Sequence, residues 1–330
     1  MESHPGFRGV QSAALVAFNV RFNPTACDAV RDGGGMKLML KAVLMYPNNP
    51  SWQLHGWYAI VALLRHGVGQ SHFIKLEGTA AIYQTLQSYD SDRRCRRHPG
   101  LRSQVFKAFS LVCADEESPR HVDKQTVQLA LLSLKTDVGT KSKYCIEALG
   151  HLARDARWST WLSEKRAIGQ IVHSMKILLR TRRKPHPSPA SHLSEYKAGC
   201  VALARLLQKD TQHSLRAIHS VLRAMTPCPK ELQVQVHGSA AFASISWSKE
   251  NVVKASALGA CEAVHGAIMM HAKDETTQTQ VCLGHFDHPR REQGGHCKTQ
   301  WRVDPDAGDR EFPKCCHCLR PRVEDPQSDE

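Results

Sequence analysis

Aromatic side chains are scarce in this chain of 330 residues: Trp, Tyr and Phe together make up 6% of it. Sandwiches and barrels lean on aromatic and β-branched side chains to fill their inner faces, so a chain poor in rings and rich in Ala, Leu and Val points to helix-on-helix packing. Long apolar runs are missing too. The longest is Tyr58 to Leu64, against the roughly 20 residues that cross a bilayer, and no membrane partner is expected. The amino-terminal MESHPGFRGV has no charged segment leading into an apolar run, so no secretory signal is expected. Among the 12 cysteines, Cys113, Cys145, Cys200, Cys261 and Cys282 fall in helical, mostly apolar stretches instead of the even loop spacings of a disulfide framework. Reduced core residues fit that placement, and with it a cytoplasmic or nuclear compartment. Catalytic signatures are absent as well: there is no Gly-rich phosphate loop, nucleophile elbow, HExxH or kinase motif set, and the 19 histidines are scattered. The expectation is a protein that is not an enzyme and holds no cofactor.

Negative charge is the remaining shortage. There are 31 Asp and Glu against 44 Lys and Arg, a formal charge of +13. The imbalance is local: residues 1–286 carry 36 basic and 21 acidic side chains, whereas residues 287–330 carry 8 and 10. The first part therefore attracts acidic partners or polyanions. The second mixes charge, Gly and Pro, has only Trp301 and Phe312 as aromatics, and reads as a disordered tail.

What the chain does have is a recurring helix. In VQVHGSAAFASIS (residues 234–246), Ala241 is followed by apolar Phe242 and by Ile245 at +4, and preceded by Gly238 at −3. The same pattern returns at Ala17-Phe18, Ala59-Ile60, Ala108-Phe109, Ala148-Leu149 and Ala202-Leu203. Position −3 is Ala14, Gly56, Val105, Cys145, Gly199 and Gly238, and +4 is apolar in every copy but the first, where it is Arg21. These offsets share one side of a 3.6-residue helix, so they form a buried stripe whose small members let a neighbour approach closely. The six alanines are 42, 49, 40, 54 and 39 residues apart. Stacked helical repeats of the HEAT or armadillo kind have units of about 40–47 residues. The expected architecture is all-α, a right-handed α-solenoid of about six such units over 1–286.

Within a unit the chain reads as a short helix, a glycine turn, a second helix, a loop and the recurring third helix. Gly33-Gly34-Gly35 precedes Met36–Met45, Leu76-Glu77-Gly78 precedes Thr79–Leu86, and Ala257-Leu258-Gly259 precedes Ala260–Met270. A glycine at these points supplies the left-handed backbone that ends one helix so close to the next. No glycine turn is visible between Ala114 and Lys135 or between Gln208 and Met225, so the third and fifth units depart most from the pattern.

With these features the chain resembles the armadillo-repeat family, in particular the diverged armadillo arrays of large leucine-rich-repeat kinases. The resemblance covers about residues 10–286. It rests on Val10-Gln11, Val234-Gln235 and the similar Trp52-Gln53, the alanine-apolar pair, the glycine turn, and Met at the end of the second helix in Met45, Met175, Met225 and Met270. It implies peptide or protein binding along a groove lined by the third helices. The nuclear-import members hold basic peptides with Trp at −1 and Asn at +3. Here those positions are Val16, Tyr58, Lys107, Glu147, Val201 and Ala240, and Val20, Ala62, Leu111, His151, Arg205 and Ser244. That ladder is missing and the array is basic, so an acidic protein or peptide is the expected partner. Tyr58, Lys107, His151 and Arg205 are the candidate groove residues, with ordinary packing or surface positions as the competing reading.

Two basic loops offer an alternative. Arg93, Arg94, Arg96 and Arg97 lie in one, and Arg180, Arg182, Arg183 and Lys184 in the other. Clustered cations bind phosphate without reading sequence, so RNA or another polyanion is the second candidate partner. No aromatic platform accompanies them, and solvated loops compete. In the tail, Cys315 and Cys318 form a CxxC around Cys316 and His317, with His296-Cys297 upstream. Structural zinc sites bring two spaced ligand pairs and a local fold; one spaced pair does not, and no metal is expected. Both ends of the array stop within a unit, so self-association or a longer array is expected, since solenoids need polar caps.

Overall fold

In the computed structural model of the protein, the described residues are 28–30, 32–65, 69–91, 98–115, 118–136, 142–181, 190–207, 214–245 and 249–274. Contacts divide the chain into Met1–Pro289 and Arg290–Glu330; the second unit, with Cys297, Cys315 and Cys318, lies outside the described residues. So does the first copy of the recurring helix.

Among the described residues every regular element is helical. In chain order they are α1 (Gly35–Met45), α2 (Pro50–Leu64), α3 (Gln70–Lys75), α4 (Gly78–Ser91), α5 (Pro99–Ala114), a 3-10 turn (Ser118–His121), α6 (Lys124–Thr136) and α7 (Lys143–Leu152). There follow α8 (Ala156–Glu164), α9 (Ala167–Thr181), α10 (Ala190–Leu206), α11 (Ser214–Met225), α12 (Leu232–Ile245), α13 (Lys249–Ala257) and α14 (Ala260–Met270). The recurring third helices are α2, α5, α7, α10 and α12, and each packs on the next. The second helices α1, α4, α6, α9, α11 and α14 form another series, each again packed on its successor. The two series are joined pairwise, α1 to α2, α4 to α5, α6 to α7, α9 to α10 and α11 to α12. No single helix among the described residues is long and apolar enough to cross a membrane.

The expected stripe is buried. Ala59, Ala108, Ala148, Ala202 and Ala241 are all fully excluded from water, with Ile60, Phe109, Leu149 and Leu203 beside them. Small residues are needed at two kinds of contact. A Cβ on Gly199 would stand 2.4 Å from Met175 Sδ, and one on Gly238 would stand 2.3 Å from Met225 Sδ. The glycine at −3 thus receives a methionine of the preceding second helix, where van der Waals packing leaves no room for a further carbon; Met225 ends α11 as expected, but α9 runs six residues past Met175 to Thr181. Between third helices, a Cβ on Gly150 would lie 3.1 Å from Ala202.

The Gln of the Val-Gln pair has a structural task. Gln235 Nε2 donates to the carbonyls of Met225 at 3.0 Å and Cys228 at 2.8 Å. Gln53 Nε2 donates likewise to Val43 and Tyr46, and Trp52 Nε1 to Ala42 O at 2.7 Å. The last carbonyls of a helix have no partner within it, so the third helix supplies one by side chain. The same register, six residues before the central alanine, holds Arg102, Ser142 and Tyr196, all buried. Arg102 donates to Ser133 Oγ and lies 3.6 Å from an oxygen of Asp90.

The turns correct the glycine reading. The left-handed residue before the second helix is Gly34 (φ 74°), Glu77 (φ 57°), Arg166 (φ 58°) and Gly259 (φ 89°). Two of these are not glycine: the local hydrogen bonds Glu77 N to Ile74 O and Arg166 N to Ser163 O, each within 3.0 Å, hold the turn at a side chain's expense. Gly78 opens α4 instead, where a Cβ would stand 2.4 Å from the Phe73 ring. In the third unit, Asp123 replaces the glycine turn: its carboxylate accepts from Thr126 N and Oγ1, both at 2.7 Å, as a helix N-cap.

Candidate partner-binding wall

Positions −1 and +3 of the third helices lie on the side away from the second-helix seam, and three of the four candidate residues there are half-buried. Lys107 sits on α5, His151 on α7 and Arg205 on α10; Tyr58, on α2, is 42% exposed and stands furthest into solvent.

Lys107 meets α7. Its Nζ lies 5.3 Å from the centre of the Tyr144 ring, and Lys143 Nζ is 5.2 Å from the same ring. Two ammonium groups share one aromatic, an attraction to the ring quadrupole set against mutual repulsion. Burial, then Arg65 and Lys143, push the Lys107 pKa down. Glu147 offsets part of this charge: it pairs with Lys143 at 3.8 Å and accepts from Ser110 Oγ at 3.4 Å. Burial nevertheless raises its pKa, with Glu195 adding to the rise and Lys143 and Lys197 opposing it.

The next stretch has no such balance. Arg154 Nη1 donates to Ala114 O at 3.3 Å, and Arg205 Nη1 to Gly150 O at 2.7 Å. Each arginine thereby caps the end of the preceding third helix, where cations are favoured. Both act on His151, which is held down to a pKa of about 4 by burial and by Arg154 and Arg205. Its Nδ1 is buried without a hydrogen-bond partner. On α12, burial with Lys197 and Arg205 holds His237 down to about 4 also. Arg205 itself is lowered to about 10 by burial and by Arg154. Charges drawn out of water next to like charges favour whatever neutral form or counter-ion is available.

The structure therefore brings Lys107, His151 and Arg205 into one row. It adds Lys143, Tyr144, Arg154, Lys197 and His237, which were not singled out from sequence. A signal was present: these residues occupy offsets −5, −4 and +6, one helical turn beyond −1 and +3 on the same face. Of the basic loops, Arg93, Arg94, Arg96, Arg97, Arg182, Arg183 and Lys184 lie outside the described residues, as does the side chain of Arg180 at the end of α9.

Other chemistry has little to work with among the described residues. No group of three or more His, Cys, Asp or Glu there could hold a metal ion. Cys113, Cys145, Cys200, Cys228 and Cys261 are free thiols, and burial pushes Cys113 and Cys145 up and Cys200 to about 12, far from thiolate reactivity. In comparison with known proteins, the chain matches no family model, and no curated protein is significantly similar to it.

Proposed function

We propose that the chain is a non-enzymatic interaction scaffold, a right-handed α-solenoid of about six armadillo- or HEAT-like units that binds an acidic protein segment along its third helices. The serial packing of the two helix series supports the architecture. The single observation that carries the function is the row of cations along successive third helices, half-buried at Lys107, Lys143 and Arg205 and exposed at Arg154 just past the end of α7. Within the free protein such a row costs stability. An extended acidic segment laid along it supplies the missing counter-charge, and the excess positive field steers its approach.

The test is a fluorescence-anisotropy titration of the full chain with a labelled oligo-glutamate peptide at pH 7.5, against an oligo-lysine control. Binding of the acidic peptide that falls about tenfold or more in Lys107→Glu/Lys143→Glu supports the reading. No binding at low salt, or binding unchanged in that variant, overturns it. A labelled single-stranded RNA run in parallel addresses the polyanion alternative. RNA binding that survives the wall variant and disappears when Arg93, Arg94, Arg96 and Arg97 are changed to Gln would transfer the function to the loops.

A further inference from the structure

Among the described residues, no carboxylate is one of the charged groups that act on His151, Arg205 or His237. The charged groups acting on His151 are Arg154, two residues past the end of its own helix α7, and Arg205 from α10; those acting on His237, on α12, are Lys197 and Arg205, both from α10. Glu147 is set against Lys143 and Lys197, and Glu195 acts on Glu147 in the opposite sense. Arg205 acts on both imidazoles, and among the described residues its head is anchored through Nη1 to Gly150 O. Arg154 is anchored in the same way to Ala114 O. Two guanidinium groups fixed at one corner keep their other N–H groups for an oxygen anion, whose planar or tetrahedral oxygens they match. The buried Nδ1 of His151 has no partner in the free protein.

We propose that this part of the wall is an oxyanion subsite that takes up a proton as it fills, holding a carboxylate or phosphoryl side chain of the partner and binding it more tightly in mild acid. The proposal rests on the groove reading above and deepens it. In the free protein the imidazoles stay neutral at pH 7 because burial and the neighbouring cations oppose a further positive charge. An anion seated against Arg154 and Arg205 cancels that repulsion, so imidazolium becomes the favoured form in the complex. By linkage, protons that are taken up on binding strengthen binding when the pH falls. An encounter at pH 5.5 to 6 is thereby favoured over one at pH 7.5, and release is favoured as the pH recovers.

The probe is the labelled oligo-glutamate peptide, whose own carboxylates stay ionised over this range, titrated into the full chain from pH 7.5 to 5.5. The expected result is an affinity about tenfold higher at pH 5.5. Measured against its own affinity at pH 7.5, His151→Gln/His237→Gln should lose most of the gain at pH 5.5. Calorimetry of the unmodified chain at pH 6, in buffers of different ionisation enthalpy, should show uptake of about one proton per peptide; this arm needs no variant to fold. A second peptide with one phosphoserine names the oxyanion: tighter binding than the all-glutamate peptide at pH 7.5 assigns a phosphoryl group, and equal binding assigns a carboxylate. Binding that is flat with pH, with no proton taken up, overturns the subsite and leaves the groove standing. Absence of binding at every pH overturns both.

Discussion

Gln235 and Arg205 lie on neighbouring third helices, and both are polar side chains drawn out of water, but on opposite sides of the stack. Gln235 belongs to the seam with the second helices, where it is 3% exposed and its amide closes on two carbonyls. Arg205 belongs to the wall, where one N–H finds a carbonyl while the charge is left beside other cations. On the seam, buried polarity is neutral and matched donor to acceptor, so it directs where each third helix docks at little cost. On the wall, buried polarity is charged and matched only in part, so it opposes folding and awaits a ligand. The difference separates what holds the protein together from what it presents.

The sharpest way to break that distinction is to remove a seam amide. Gln235→Leu keeps most of the volume but removes one of two donors from each of the Met225 and Cys228 carbonyls, which retain the backbone N–H groups of Cys228 and Glu231, so each lost bond costs about 0.5–1.5 kcal/mol. The urea midpoint should drop accordingly, by about 1–3 kcal/mol of stability, while peptide affinity under native conditions stays as it was. A loss below about 0.5 kcal/mol would mean that water or a backbone shift replaces the amide, and that the seam is not specified by its polar pairs.

The seam was the more legible side in the sequence. The alanine stripe, the glycine at −3 and the methionine that meets it were visible because close packing admits few residue types at those points, and Gly199 with Met175 and Gly238 with Met225 show the same fit twice. The Gln register was visible only as a resemblance, since its purpose depends on carbonyls ten and seven residues upstream, at the end of another helix and in the loop after it. The left-handed turns were half legible. Gly34 and Gly259 announce themselves, but Glu77 and Arg166 adopt the same backbone with no glycine to mark it, because local hydrogen bonds and the packing of both flanking helices outweigh a cost of about 1–2 kcal/mol. On the wall, Lys107, His151 and Arg205 could be placed on a face from periodicity alone. The burial of His237 beside Lys197 and Arg205 could not, because it depends on how adjacent third helices stack.

Acid distinguishes the two sides without any substitution. His151 and His237 have folded pKa values of about 4, below the ordinary 6.5. Between those limits the unfolded chain binds the more protons, so stability falls as the pH drops from about 6.5 toward 4 and is unaffected by these groups above about 7. Their remaining contact with water holds the cost to about 1 kcal/mol each at pH 5. Glu147, whose pKa is raised, acts in the opposite sense just above its ordinary value of 4.5, which is why the comparison should be made between proteins. Denaturation at pH 7 and pH 5 should show a smaller loss for His151→Gln/His237→Gln than for the parent. Equal losses would place the acid sensitivity elsewhere.

The smallest effect expected is also the one with the most telling sign. Lys107 carries its charge against burial, Arg65 and Lys143, and gains in return a shared contact with the Tyr144 ring. Lys107→Met keeps the aliphatic stem against that ring and removes the charge. Its stability should therefore change by no more than about 0.5 kcal/mol, and upward, whereas a seam substitution can only lower it. Salt provides the internal control. Screening at about 0.1 M reaches charges 10 Å apart, so added salt should stabilise the parent through this cluster and the variant less, until the two converge. If Lys107→Met instead lost stability at every salt concentration, Lys107 would be a packing residue that happens to be charged. A rise in stability joined to a loss of acidic-peptide binding would show a residue retained against the interest of the fold, as binding sites commonly are.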